Sequence, residues 1–283
     1  MRYLGSHVST TGGVAMAPLR AKEIGINTIQ IFAKNNNQWL AKKPLEESEI
    51  ASYKKHCREC GIAISFSHAG YLINLAAPDP KNHQLSLQSF QQELERADQL
   101  GLDFVVMHPG AHVGSGEATA IQKIAESINR VFAEQPCHAL LLLEITAGQG
   151  TSIGHRFEEL AEIFEKVEEK KRIGICFDTA HAFAAGYDLR TKETYAETWK
   201  AFDATIGLKK LKAIHLNDSK KEFGSRVDRH EHIGQGFLGE SAFQLLMQDS
   251  RFEEIPMVLE TPKHDDPVKW DQLNIRKLLS LMT

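Results

Sequence analysis

A chain of 283 residues, 42% hydrophobic and 25% charged, can bury a large α/β core and has the composition of an ordinary globular protein. No apolar run approaches the roughly 20 residues of a membrane helix, and MRYLGSHVS reads as a strand without a signal peptide behind it, so the expected location is cytoplasmic. The net charge of −4 argues against bulk nucleic-acid binding, although a locally positive face on an acidic protein can still attract a polyanion.

Taken in chain order, strand-like and helix-like segments alternate. A strand is expected over 3–5 and another over 28–32. The loop KNNNQWLAKK follows, then a helix over 44–60 whose ESEIASYKKHCREC spaces apolar positions in the amphipathic manner. That helix carries Cys57 and Cys60, read as two thiols on one face rather than a zinc or redox motif. The strand over 63–68 ends AISFSH at His68, with a helix expected over 82–100. FVVMH, in the strand over 104–108, ends at His108 and leads to a helix over 117–133. ALLLLE, within 139–145, reaches Glu144, with a helix over 157–169. IGICFD, over 173–178, ends at Asp178, with a helix over 192–206. LKAIH, within 211–216, reaches His215, and PMVLE, within 256–261, reaches Glu260.

Eight such alternations with nearly continuous apolar strands predict a closed (β/α)8 TIM barrel, occupying 1–283 as a single domain. A doubly wound open sheet is the alternative. Loops after the strands, such as TAGQGTSIGH and TAHAFAAGYD, are long and polar, while those before the strands are short. In a parallel barrel the C-terminal strand ends share one face, where function collects. A carboxylate there is expensive unless paired or bound to a cation.

Two further spacings join these endings. CFDTAH places His181 three residues after Asp178, and GSRVDRH places Asp228 two residues before His230. Each feature has an ordinary reading alone: a capping Asp with a surface His, a charged turn, a core His, a Glu paired with Arg. Those readings would have to hold jointly at nine places on one face. Five imidazoles and four carboxylates form a mixed N/O set that suits zinc or a similar transition ion better than magnesium or calcium. Nine ligands with one bridging carboxylate suit three ions, which would take the formal charge from −4 to +2. Clusters of this kind hydrolyse phosphate esters.

YLGSHVSTTGG, GYLINL, HPGAH, TAGQG, FDTAHAFAAGYDLRT, HLNDSK, FGSRVDRH and LET run the length of the chain. Together they resemble the endonuclease IV family, the zinc-dependent apurinic/apyrimidinic endonucleases (deoxyribonuclease IV) of base-excision repair. The resemblance implies a TIM barrel with three zinc ions at its top face, acting on double-stranded DNA that contains abasic sites. It implies one zinc on His68, His108 and Glu144, a second sharing Glu144 with Asp178, His215 and Glu260, and a third on His181, Asp228 and His230. Glu144 and Glu260 would be catalytic, Glu144 by orienting a metal-bridging hydroxide. The implied cut lies 5′ of the abasic sugar and leaves a 3′-hydroxyl and a 5′-deoxyribose phosphate; blocked 3′ ends are further implied substrates.

Tyr71 and Leu72 match the family's wedge into the DNA stack; the alternative is an apolar helix-capping cluster. Arg226 and Arg229, close to Asp228, are candidate phosphate contacts; the alternative is ordinary surface arginines. Asn37 stands where many members carry an Arg that enters the lesion gap, and so lacks its charge and stacking plane. His232, where Asn is common, is either a spare polar residue or a partner of a ligand. Two other functions remain open: a sugar isomerase or epimerase on the same barrel, and a non-catalytic metal-dependent DNA-binding protein. No membrane association and no obligate protein partner are expected.

Overall fold

The computed structural model describes residues 2–282. Its strands are β1 (Leu4–His7), β2 (Thr28–Ile31), β3 (Ile64–His68), β4 (Phe104–Met107), β5 (Leu140–Glu144), β6 (Ile173–Asp178), β7 (Leu211–His215) and β8 (Met257–Leu259). They close into one barrel of parallel neighbours. Closure is made at β1, which pairs Gly5 with Thr28 of β2 and with Val258 of β8. A doubly wound sheet would leave two open edges and is excluded.

The helices are α1 (Ala17–Ile24), α2 (Glu47–Glu59), α3 (Pro80–Leu100), α4 (Glu117–Glu134), α5 (Phe157–Lys166), α6 (Thr179–Ala185), α7 (Lys192–Thr205), α8 (Gly239–Gln248) and α9 (Pro267–Ser280). Their boundaries follow local chemistry. In α3, Asp79 accepts a hydrogen bond from the Asn82 amide, Pro80 sits in the first turn, and Gly101 closes the helix at φ 72°. The helix expected over 157–169 stops at Lys166, because Val167 turns extended. TAHAFAAGYD, read as loop, contains α6. Asp178 caps that helix by accepting from the His181 amide at 2.8 Å. Helices α1, α8 and α9 add to those expected from the sequence. No described helix is long and apolar enough to cross a membrane.

Two cores result. Phe66, Val106, Leu142, Cys176, Ala213 and Val258, one from each of β3 to β8, fill the barrel. A larger apolar layer, including Ile175, Phe177, Trp199 and Phe202, lies between strands and helices. Side chains alternate across a strand with a period of two residues. The residues two positions beyond the six barrel-filling ones are His68, His108, Glu144, Asp178, His215 and Glu260. The packing that fills the barrel therefore aims all six into its C-terminal mouth. Two short antiparallel ribbons, Gly110–Ala111 with Ser152–Ile153 and Asp218–Ser219 with His230–Glu231, tie the loops above that mouth.

Candidate metal centre

Glu144 lies at the middle of the cluster and is fully buried. Its Oε2 is 2.9 Å from His68 Nε2 and 3.2 Å from His108 Nε2. Its Oε1 is 2.9 Å from His215 Nδ1 and 3.2 Å from His181 Nδ1. His215 Nδ1 is also 3.3 Å from Glu260 and 3.7 Å from Asp178. Asp228 Oδ1 stands 3.2 Å from His181 Nε2 and 3.5 Å from His230 Nε2.

Ligand atoms converge in three groups: His68, His108 and Glu144; Glu144, Asp178, His215 and Glu260; and Asp178, His181 and His230. The first two group the same residues that the family resemblance implies. In the third, Asp178 converges with the two histidines, and Asp228 approaches them from the more exposed side.

The outer nitrogens of four histidines are fixed by oxygen acceptors, a signal that the sequence analysis missed. His68 Nδ1 donates to the Ala69 carbonyl at 2.8 Å and His181 Nδ1 to the Ile145 carbonyl at 3.0 Å. His230 Nδ1 donates to the Glu260 carbonyl at 3.2 Å, and His215 Nε2 to Gln30 Oε1 at 2.8 Å. Apart from His181, whose Nδ1 also lies near Glu144, the remaining nitrogen of each faces the cluster alone. This is how metal-binding imidazoles are oriented.

Gln30 and His7 belong to the same layer, supplied by β2 and β1. Gln30 Nε2 donates to Glu260 Oε1 at 2.5 Å and to His7 Nδ1 at 2.8 Å. Asn217 holds Asp178 through a 2.7 Å bond and accepts from the Glu260 amide at 2.8 Å. Gln30 escaped notice because an amide is neither an acid nor an imidazole, and His7 because the strand expected over 3–5 stopped two residues short of it.

The electrostatics fit a cation. Among the described residues, no Lys or Arg forms an ion pair with Glu144, Asp178, Asp228 or Glu260; only histidines do. Burial pushes the Glu144 carboxyl up, but His215 and His108 outweigh it and hold it well below the usual range. Burial disfavours a charged His181, yet Asp178 and Asp228 lift its pKa well above the ordinary value. Burial likewise acts against a charged His215, and Cys176, Glu260 and Glu144 lift it well above. The carboxylates thus demand positive charge that only protons or a metal can provide, and a mixed N/O donor set suits a transition ion.

Above the cluster opens a cavity of about 900 Å³, lined in part by His68, His108, Tyr71 and Arg229. Tyr71 is 66% exposed and packs edge-on against Phe32 at 5.5 Å, and Leu72 is 38% exposed. Asn37, Leu72 and Arg226 are exposed but do not line this cavity. Lys34 and Lys263, which the sequence did not single out, do line it. Lys263 donates to Ser6 at 2.7 Å and pairs with Asp271. His232 accepts from Asn274 and meets His264 at 3.1 Å, while stacking on Trp270. It therefore ties its loop to α9 and to the His264 turn before that helix. The four cysteines are free, and burial pushes the Cys57 thiol up to about 11.

A family model described as a xylose isomerase-like TIM barrel matches residues 18–281. The chain is 47% identical to the probable endonuclease 4 of Geobacter sulfurreducens over 281 residues, covering 99% of this chain and 94% of that protein. It is 46% identical to the probable endonuclease 4 of Chloroflexus aggregans, covering 100% and 98%. The crystal structure of endonuclease IV from Thermus thermophilus superposes with a TM-score of 0.86 at 33% identity, covering 100% and 99%.

Proposed function

From the premise that this chain belongs to the endonuclease IV family of xylose isomerase-like TIM barrels, we propose that it is a DNA-repair hydrolase of abasic sites. It cuts the phosphodiester bond 5′ of the missing base and leaves a 3′-hydroxyl and a 5′-deoxyribose phosphate. Blocked 3′ ends are further substrates. The observation that carries this reading is the single layer of histidines and carboxylates at the barrel mouth, with imidazole nitrogens turned inward by carbonyl and amide acceptors.

The donor set fits zinc, and three ions would be held by His68, His108 and Glu144, by Glu144, Asp178, His215 and Glu260, and by His181, Asp228 and His230. Such ions would make water nucleophilic near neutral pH, polarise the phosphorus and neutralise the leaving oxygen. Glu144, facing imidazoles with both oxygens, would orient the attacking water. Glu260, braced by Gln30 and by the Asn217 contact to its amide, fixes the opposite wall.

Tyr71 and Leu72 enter the DNA stack beside the lesion, where a missing base lowers the unstacking penalty. Arg226 and Arg229 contact phosphates. Asn37 meets the lesion side with hydrogen bonds alone. A nicking assay on a synthetic abasic duplex tests the function. Cleavage that a chelator abolishes and zinc restores is expected; no cleavage of abasic DNA by zinc-loaded protein would refute it.

A further inference from the structure

Helix α3 runs outside the barrel, yet one of its polar stripes is buried. Ser89, Gln92, Glu93 and Arg96 follow the spacing of a single helix face. Ser89, Glu93 and Arg96 are 0%, 1% and 8% exposed. Every one of the four is spent on a loop above β2 or β3. Ser89 Oγ donates to the Trp39 carbonyl at 2.6 Å, and Gln92 Oε1 accepts from the Ala41 amide at 2.6 Å. Arg96 Nε donates to the Ala33 carbonyl at 2.6 Å.

Glu93 joins the two loops. Its Oε1 accepts from the Gly70 amide at 3.0 Å and lies 3.1 Å from Lys34 Nζ, with both side chains almost wholly buried. Lys34 also donates to the Gln38 carbonyl at 3.2 Å. The Tyr71 amide donates to the Asn36 carbonyl at 3.2 Å, closing the junction. A Cβ on Gly70 would stand 3.2 Å from both the Asn36 carbonyl oxygen and Lys34 Nζ, so a side chain there would press the two loops apart by a few tenths of an ångström.

A buried ion pair is a poor source of stability, because desolvation offsets the attraction. Burial indeed raises the Glu93 carboxyl above its ordinary value, and Lys34 pulls it back only in part. Such a pair is better suited to fixing geometry. We propose that the Lys34–Glu93 pair is a positioning device that makes the Asn35–Asn37 loop and the Gly70–Leu72 loop one rigid reader of damaged DNA. The DNA role of these loops rests on the function proposed above; their mechanical coupling does not.

The test uses the 283-residue chain, loaded with zinc, and the variants Glu93→Gln, Lys34→Met, their combination and Gly70→Ala. Hydrogen exchange of residues 35–41 and 69–73 is followed without DNA. KM, kcat and the binding preference for abasic over undamaged duplex are measured beside metal content. Glu93→Gln strands a buried ammonium. Exchange should then rise in both loops together, KM should rise about 10-fold with a smaller change in kcat, and preference should fall, all at unchanged metal content.

The double variant removes both charges but keeps an oxygen for the Gly70 amide, and should recover most of the loss. If Glu93→Gln does not fold, Gly70→Ala should produce the same paired loosening. Exchange that rises in one loop alone, or unchanged KM and preference in the folded variants, would overturn the proposal. Wild-type protein that fails to nick abasic DNA would refute the function instead, leaving the exchange data to decide the coupling.

Discussion

At the scale of single residues, Glu144 holds the cluster together, since each of its oxygens faces two imidazoles. Glu144→Gln keeps the shape and removes the charge. Nicking by the folded variant should drop at least about 100-fold, in line with the loss of one positioned electrostatic group; near-wild-type rates would remove Glu144 from the mechanism. Gln30 makes a subtler prediction. It accepts from His215 and donates to Glu260, two proposed ligands at the ends of the neighbouring strands β7 and β8. Gln30→Met keeps the volume but frees both. Metal affinity, measured by competition with a chromophoric chelator, should weaken about 10- to 100-fold. Unchanged affinity would make Gln30 mere filler. Glu144 was legible from ALLLLE because a carboxylate ending an apolar strand is conspicuous. Gln30 was not, because an amide in TIQI is unremarkable until a histidine is seen opposite it.

At the scale of elements, the loop after β5 is anchored by Glu159 in the first turn of α5. One of its oxygens accepts from the amides of Gly154 and His155 at 2.8 and 3.1 Å, and the Arg156 guanidinium pairs with the other at 3.1 Å. Burial pushes this carboxyl up, but His155 and the backbone amides bring it down to about 2. A carboxyl depressed in the fold adds stability at pH values above its unfolded pKa and loses it as pH falls through the folded value. The contribution should therefore be full near neutrality and fade between about pH 4.5 and 2. Thermal midpoints of wild type and Glu159→Gln should converge across that window; a constant gap would show that the charge is not what anchors the loop. The sequence placed a helix here, and its start at Phe157 held. Its end did not, because Val167 leaves the helix for the turn that feeds β6. Helix α6 was missed for a related reason: TAHAFAAGYD looks like a loop until Asp178 is known to cap it.

At the scale of the whole molecule, the acidic net charge and a DNA substrate are reconciled if cations sit at the mouth. Elemental analysis of protein purified without added metal should count about three zinc ions per chain, and chelation should lower the thermal midpoint. A reproducible count near one would sink the trinuclear centre and favour a sugar isomerase on the same barrel. By itself the sequence determined the barrel, since eight apolar runs alternating with amphipathic segments leave few other ways to bury them. It also marked nine of the converging residues: six because ionisable groups at apolar strand ends betray themselves by the energy of burying them, and His181, Asp228 and His230 by their spacing in FDTAH and VDRH. Only the tertiary structure decided which atoms meet. The two-residue period of the strands, locked by Phe66, Val106, Leu142, Cys176, Ala213 and Val258, turns six ligand candidates inward together. Closure of β1 against β8 brings His7 and Gln30 to them, and the helix cap at Asp178 carries His181 across. Those contacts join residues up to 253 positions apart, such as His7 and Glu260, and no local pattern records them.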